Sequence, residues 1–569
     1  MKKTILLLSA AVVGCFGLSG CIEEYSPQSN IVTSDQAAQA PGSFDKFVDA
    51  ITSPLAGQFN YWPAQKFGFD YGYTSFFLAR DVAGQDIAPT GLHSMLYSSW
   101  YSSSSALGPA YAVCQFPWTD YYGWINNCNI VLKMAGAEPS ETQKAGVGIA
   151  YAMRAMFYMD LARMFAQKTY ALDKEAITVP IVTDETADLA HNPRATNEEM
   201  WRFILSDLDK AENYIAGYNR SDKYTPDLSV VYGLKARAYL TMEDWANAES
   251  YAKKAQAGYT VLNESEYTDN YTGFNTPNDS WMLAVRFRST DDNITENDGD
   301  TSWGTVMCLE VQPKIDPETG DDGVGCGYAS NYGYANAIDR HLFETIPATD
   351  FRKKVFVDFA IDDLADQDAK VKALEAYSKH PLWLLSTAAN CQSDERRDKV
   401  GGLSLKFRLA GNEEGRYDQY KGYLVSVPLM RVEEMKLIEA EAAGMQDESR
   451  GIQLLTDFAK TRDAKYEYGK HNEAYGNTST SKFRNEVWWQ RRVELWGEGF
   501  ATFDIKRLNK GVIRSYKNTN HLETYRWNTT TPPDWMNWCI TSVEADNNFS
   551  IINNPTPVAP TTDSPEYAW

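Results

Sequence analysis

The chain has 569 residues, is 43% hydrophobic and 23% charged, and carries a formal net charge of −22. That length and apolar share can bury a sizeable core and exclude a disordered chain. The acidic balance argues against a nucleic-acid partner and against direct docking on anionic lipid, both of which draw on Lys and Arg, and it suits neutral ligands.

At the N-terminus Lys2 and Lys3 precede the apolar run Ile5–Phe16, which is too short to span a bilayer. The run ends in Leu18-Ser19-Gly20-Cys21. Small residues followed by Cys resemble a bacterial lipobox, so residues 1–20 are expected to be a lipoprotein signal peptide and Cys21 the lipidated residue. The acidic pair Glu23-Glu24 behind it resembles the surface-export signal of Bacteroidota lipoproteins, and residues 21–40 read as a polar tether. Six cysteines then remain, Cys114, Cys128, Cys308, Cys326, Cys391 and Cys539. Their spacing fits no zinc pattern, and buried free thiols are expected.

Residues from about 41 to 135 are aromatic-rich and end in a helix expected over Trp118–Ala135. The stretch Ser140–Tyr259 then reads as successive helices. Ser140 with Gln143, and Thr196 with Glu199, have capping-box spacing. After the second cap, Met200, Ile204, Leu208, Ala211 and Ile215 share one helical face. Ala236, Tyr239, Ala248, Ala252 and Ala255 then have the small-residue spacing of a tetratricopeptide (TPR) hairpin, turning at Glu243-Asp244-Trp245. From 263 to about 421 the periodicity weakens and Gly, Asp, Asn and aromatics accumulate, with short helices expected at Ala335–Thr345 and Leu364–Ser378. Helices return at Leu429–Ala443, Glu448–Arg462, Lys482–Trp496 and Asp504–Asn509. No linker divides the chain, so residues 41–569 are expected to form one domain. Its N-terminal part covers about 41–260, the loop-rich insert 263–421 and the C-terminal helical part 422–569.

Several segments together resemble the SusD/RagB family of outer-membrane lipoproteins. They are Trp118, Tyr122, Ile125 and Asn129; Arg154-Ala155, Tyr158 and Leu161 with Val179-Pro180; Arg194-Ala195-Thr196 through Ala211; Met430-Arg431 through Ala442 with Arg462; and Arg491, Arg492, Glu494, Glu498, Gly499, Asp504 and Arg507. Gln490, Ala501 and Ala166 depart from the usual pattern. The resemblance implies a mainly α fold, with TPR-like hairpins forming an α-α superhelical scaffold and loop-rich inserts carrying the ligand site. It further implies a non-catalytic protein, lipid-anchored and surface-exposed on the cell outer membrane. Such a protein captures a glycan and delivers it to a SusC-like TonB-dependent transporter docked on the hairpins.

A sugar face calls for flat aromatics rimmed by polar side chains. Two stretches have that mixture, Asp81–Tyr101 and Asp298–Tyr334. The expected ligand residues are Asp81, Trp100, Tyr101, Trp303, Tyr328, Asn331 and Tyr332; the resemblance puts Trp100, Trp303 and an aromatic near Tyr328–Tyr332 where the family's platforms lie. Among 16 Trp and 34 Tyr most must be core, and Trp62, Trp281, Trp383, Trp488 and Trp489 are read that way. The acidic loop with Asp316, Glu318, Asp321 and Asp322 departs from the EF-hand pattern and reads as solvated. No His-Glu-x2-His, Gly-x-Ser-x-Gly or P-loop occurs, and neither cofactor nor metal is expected. Two alternatives remain: a peptide-binding protein on the same fold and, more remotely, a secreted glycoside hydrolase.

Overall fold

The helical block from 140 to 259 forms, built by local signals. In the computed structural model, residues 42–59, 66–93, 96–295, 301–321, 327–561 and 563–569 are described. The signal segment, Cys21, the tether, Trp62, Asp322 and Cys326 lie outside them. The chain divides into a short unit, Met1–Lys46, whose described residues 42–46 open the helix Ser43–Thr52, and a large unit, Phe47–Trp569.

Within the large unit the first elements are α1 (Ser75–Val82), β1 (Ile87–Pro89) and α2 (Ser98–Ser102). Next come α3 (Ala112–Ala135) and α4 (Lys144–Phe165). Helix α3 starts six residues before its expected position and runs through Pro117, which lies in its second turn and removes one backbone donor. The first capping box forms only by half: the Gln143 side chain accepts from the Ser140 N–H at 3.0 Å, but α4 begins at Lys144, so Gln143 is not its third residue and the hydroxyl caps no helix N–H. The second box is complete. Thr196 Oγ1 accepts from Glu199 N–H while Glu199 accepts from Thr196 N–H, opening α5 (Asn197–Tyr214).

Helices α6 (Leu228–Met242) and α7 (Trp245–Ala255) form the expected hairpin. Glu243 turns it in the left-handed region (φ 58°) and Asp244 caps α7, so Trp245 belongs to the helix rather than the turn. Ala236, Ala248, Ala252 and Ala255 are fully buried, as are Met200, Ile204, Leu208, Ala211 and Ile215 of α5. Arg154 ties three helices together, with Nε and Nη2 on Asp207 at 2.8 and 2.9 Å and Nη1 on Asn129 at 2.8 Å. The Val179-Pro180 link is held by tyrosines: Tyr122 donates to the Pro180 carbonyl at 2.7 Å and Tyr158 to that of Val182 at 2.9 Å.

The loop-rich region contributes β2 (Trp281–Arg286), α8 (Trp303–Met307), β3 (Asn336–Ile338) and α9 (Pro381–Ala389). The helix expected over Ala335–Thr345 is split into β3 and a short helix, Arg340–Thr345, and the one expected over Leu364–Ser378 spans only Gln367–Leu374. Strand pairing with β1 extends 336–338. β4 (Ser426–Arg431) pairs antiparallel with β2, with Val285 opposite Val427, and leads directly into α10 (Val432–Gln446). Helices α10 and α11 (Glu448–Lys460) form a second hairpin. A Cβ at Gly451 would overlap Gly444, so only glycine permits that approach. Helix α10 also packs on α7, joining the two hairpins. Helices α12 (Lys482–Glu494) and α13 (Ala501–Arg507) complete the core. Cys114, Cys128, Cys308, Cys391 and Cys539 are free and buried, and Trp281, Trp383, Trp488 and Trp489 are buried.

Candidate functional site

Strand pairing between residues distant in sequence brings together the expected site residues that, among the described residues, reach the surface. Ile87 faces Ile338 and Pro89 faces Asn336, so the segment after β1 lies beside the segment before β3. Thr90 reinforces the junction, its N–H and hydroxyl reaching the Ala335 carbonyl at 2.9 and 3.0 Å. The 327–334 segment turns on itself: Asn331 N–H donates to Gly327 at 3.0 Å and Tyr334 N–H to Tyr328 at 2.9 Å. It is fastened to α8 by Ala329 N–H on the Thr305 carbonyl at 2.9 Å, and to α2 by the Tyr97 hydroxyl on the Tyr334 carbonyl at 2.9 Å. Gly333 adopts φ 76° against the Asn390 carbonyl, where any side chain would collide.

This framework gathers His93, Tyr328, Tyr332 and Tyr334. Ring centroids lie 5.5 Å apart for His93–Tyr328, 5.1 Å for His93–Tyr334, 6.1 Å for Tyr328–Tyr332 and 6.3 Å for Tyr328–Tyr334. Tyr332 is 45% exposed and the other three rings are half-buried. Amides rim the rings: Asn331 Nδ2 reaches the Gln312 carbonyl at 3.3 Å, and the exposed Gln392 donates to the Tyr332 carbonyl at 3.3 Å. Partial burial lowers the His93 pKa below its ordinary value, favouring the neutral ring. The arrangement offers tilted aromatic faces and amide groups, which suits a polyhydroxylated ligand.

Four other expected site residues lie inside, and that is a correction. Trp100 is 2% exposed and enclosed by Phe69, Phe116 and Trp538, with centroids 6.1, 6.0 and 5.9 Å away. Trp303 is fully buried, edge-on to Phe77 and Phe407 at 6.2 and 4.9 Å. The Tyr101 hydroxyl meets His521 Nδ1 at 2.9 Å and its ring lies under Arg514. None of these rings presents a face to solvent. Asp81 accepts from the N–H groups of Gly499 and Ala501 at 2.9 and 3.0 Å, so it caps the start of α13, and burial pushes its pKa up to about 7. Sequence reading missed His93, which joins the cluster through the β1–β3 pairing, and Gln392, which joins it because the segment after α9 packs on Tyr332 and Gly333.

The C-terminal motif residues serve the core. Arg492 clasps Asp86 at 2.6 Å, Arg491 pairs with Asp504 at 2.7 Å, and Glu494 lies among Arg431, Arg462 and Arg352 at 3.1–3.3 Å. Gln490 accepts from Arg352 at 2.9 Å, neutral where a further buried carboxylate would crowd Glu494. In the acidic loop Asp316 accepts from the Glu318 N–H at 2.8 Å and from Trp383 at 3.4 Å. Among the described residues no group of His, Cys, Asp and Glu is arranged to hold a metal.

Paired helical hairpins carrying a loop-built aromatic surface define a helical-repeat protein with a candidate binding face. A family model described as "Starch-binding associating with outer membrane" matches residues 85–240, and the model of the SusD family matches residues 245–557. The chain belongs to the SusD family. It is 20% identical over 412 residues to SusD-like protein P38 of Formosa agariphila, covering 69% of this chain and 72% of that one. Among solved structures, a SusD-like carbohydrate binding protein of Bacteroides vulgatus has TM-score 0.65 at 22% identity, covering 90% of this chain and 97% of its own. A laminarin binding SusD-like protein has TM-score 0.58 at 17% identity, covering 90% and 98%. These likenesses establish the mainly helical fold. No described helix is long and apolar enough to cross a membrane.

Proposed function

We propose that the protein is a surface lipoprotein, anchored through Cys21, that captures a glycan and hands it to a SusC-like TonB-dependent transporter without cleaving it. The observation that carries this reading is the cluster of His93, Tyr328, Tyr332 and Tyr334 with its amide rim, partly exposed on a rigidly fastened loop. Sugar C–H faces pack on the tyrosines, and Asn331 and Gln392 hydrogen-bond the hydroxyls. Membership in a carbohydrate-binding family supports the ligand class, as does the laminarin-binding neighbour.

The transporter contact falls on the link between α4 and α5 and the C-terminal tail packed on it. The link between α4 and α5 leaves Leu189 56% exposed. The tail adds Phe549 beside it, whose N–H donates to the Ala190 carbonyl at 2.8 Å, and Ile552, whose carbonyl accepts from Arg194. Exposed apolar residues gathered in this way suit a protein partner.

Screening the purified protein against plant, algal and microbial glycans and against a peptide mixture tests the reading. Retention by at least one glycan with no release of reducing sugar is expected. Binding to peptides alone would replace the ligand class, and sugar release would replace the non-catalytic role.

A further inference from the structure

A second feature lies deep between α4, α6 and α13, away from the aromatic cluster. There the structure forms a narrow pocket of about 20 Å³, room for one water or one monatomic ion. Its wall is strongly cationic for so acidic a chain. Arg163, Arg237, Arg491, Lys506 and Arg507 line it against two carboxylates, Glu434 and Asp504. Behind the wall Asp160 is shared by Arg163 and Arg80, and Glu441 by Arg507 and Arg484, the last also paired with Glu243, so the wall itself keeps five cationic side chains against two carboxylates. Among the described residues Lys506 has no carboxylate partner. Its ammonium donates to the carbonyls of Arg163 and Ala166 at 2.8 and 2.6 Å, and burial pushes its pKa down to about 7.

Two donors on this wall are unused. Arg491 gives Nε to Asp504 at 2.7 Å, yet its buried Nη1 makes no hydrogen bond. Thr169 is 6% exposed and its hydroxyl makes none either. Arg237 engages Glu434 and the Leu429 carbonyl through Nε and Nη2. Buried donors of this kind are costly unless an acceptor meets them, and surplus buried charge is costly unless an opposite charge offsets it. A water would supply an acceptor but no charge. A volume of about 20 Å³ matches a monatomic ion better than a phosphate or sulfate.

We propose that this cavity is a site for a small monovalent inorganic anion of chloride size, held by Arg491 Nη1 and the Thr169 hydroxyl within the field of Arg163, Arg237 and Lys506. The bound anion locks α4, α6 and α13 together, so it acts on stability and not on ligand capture.

Melting in sodium chloride against sodium gluconate at matched ionic strength, together with bromide-soaked crystals, tests this. The melting temperature should climb by about 1–3 °C per tenfold chloride and stay flat in gluconate. An anomalous bromide peak should sit in the cavity. Thr169→Val keeps the ion pairs and should lower the chloride slope while leaving the gluconate melting temperature within about 1 °C of the parent. Arg491→Gln should abolish the slope, and if that variant fails to fold, Thr169→Val alone decides. Equal slopes in the two salts, an unchanged slope in Thr169→Val, or a cavity without bromide would each overturn the proposal.

Discussion

Trp100 and Trp303 have the chemistry of a sugar platform and the surroundings of a core. Both rings are walled by other aromatics, so removing either leaves a void. Trp100→Ala should therefore lower stability by about 3–5 kcal/mol in a denaturant titration, and the surviving folded fraction should bind ligand normally. His471 makes a different prediction. It stacks on Trp489 at 3.5 Å, and burial lowers its pKa to about 4, with Arg352 and Arg492 adding to the depression and Glu473 and Asp350 opposing it. The unfolded chain binds this proton near pH 6.5 and the folded protein near 4, so the stabilisation is complete above pH 6.5 and is lost as pH falls toward 4. His471→Phe keeps the stack and should flatten that acid limb by up to roughly 3 kcal/mol, read from melting between pH 7 and 4. Whether an aromatic faces solvent was not legible in its neighbours along the chain. Small polar residues flank Trp100, yet Phe69, Phe116 and Trp538 decide its exposure.

At the scale of elements, local chemistry was readable and long-range pairing was not. The Thr196–Glu199 box and the alanine spacing of the α6–α7 hairpin depend on residues a few positions apart, and both formed as expected. Thr196→Ala should cost about 1 kcal/mol. Ala248→Trp should prevent the hairpin from closing, seen as loss of soluble protein or of the cooperative melt. The Ser140 box failed because α4 starts later than its spacing implies. Strand β3 was hidden because its partner β1 lies far away in the chain, and that same pairing brings His93 to the tyrosines. Leu429–Arg431 of β4 were similarly read as the start of a helix, whereas pairing with β2 extends Ser426–Arg431 before α10 begins.

For the whole molecule, the motif residues and the ligand residues separate. Arg491, Arg492, Glu494, Glu498, Asp504 and Arg507 hold the core, while the proposed capture surface lies on loops they only support. The proposed transporter contact is separate again. Leu189→Asp with Phe549→Asp should abolish co-purification with the transporter while leaving melting and ligand affinity unchanged; co-purification at the parent level would remove the contact from that patch. The central claim is that the exposed tyrosine cluster captures the ligand. Calorimetric titration of whichever glycan the parent binds, compared between the parent and the Tyr328→Ala, Tyr332→Ala double variant, tests it most directly. The account predicts at least a tenfold loss of affinity with the melting temperature held within about 2 °C, since stacked aromatic contacts each contribute on the order of 1 kcal/mol. Parent-level affinity in a folded double variant would contradict it.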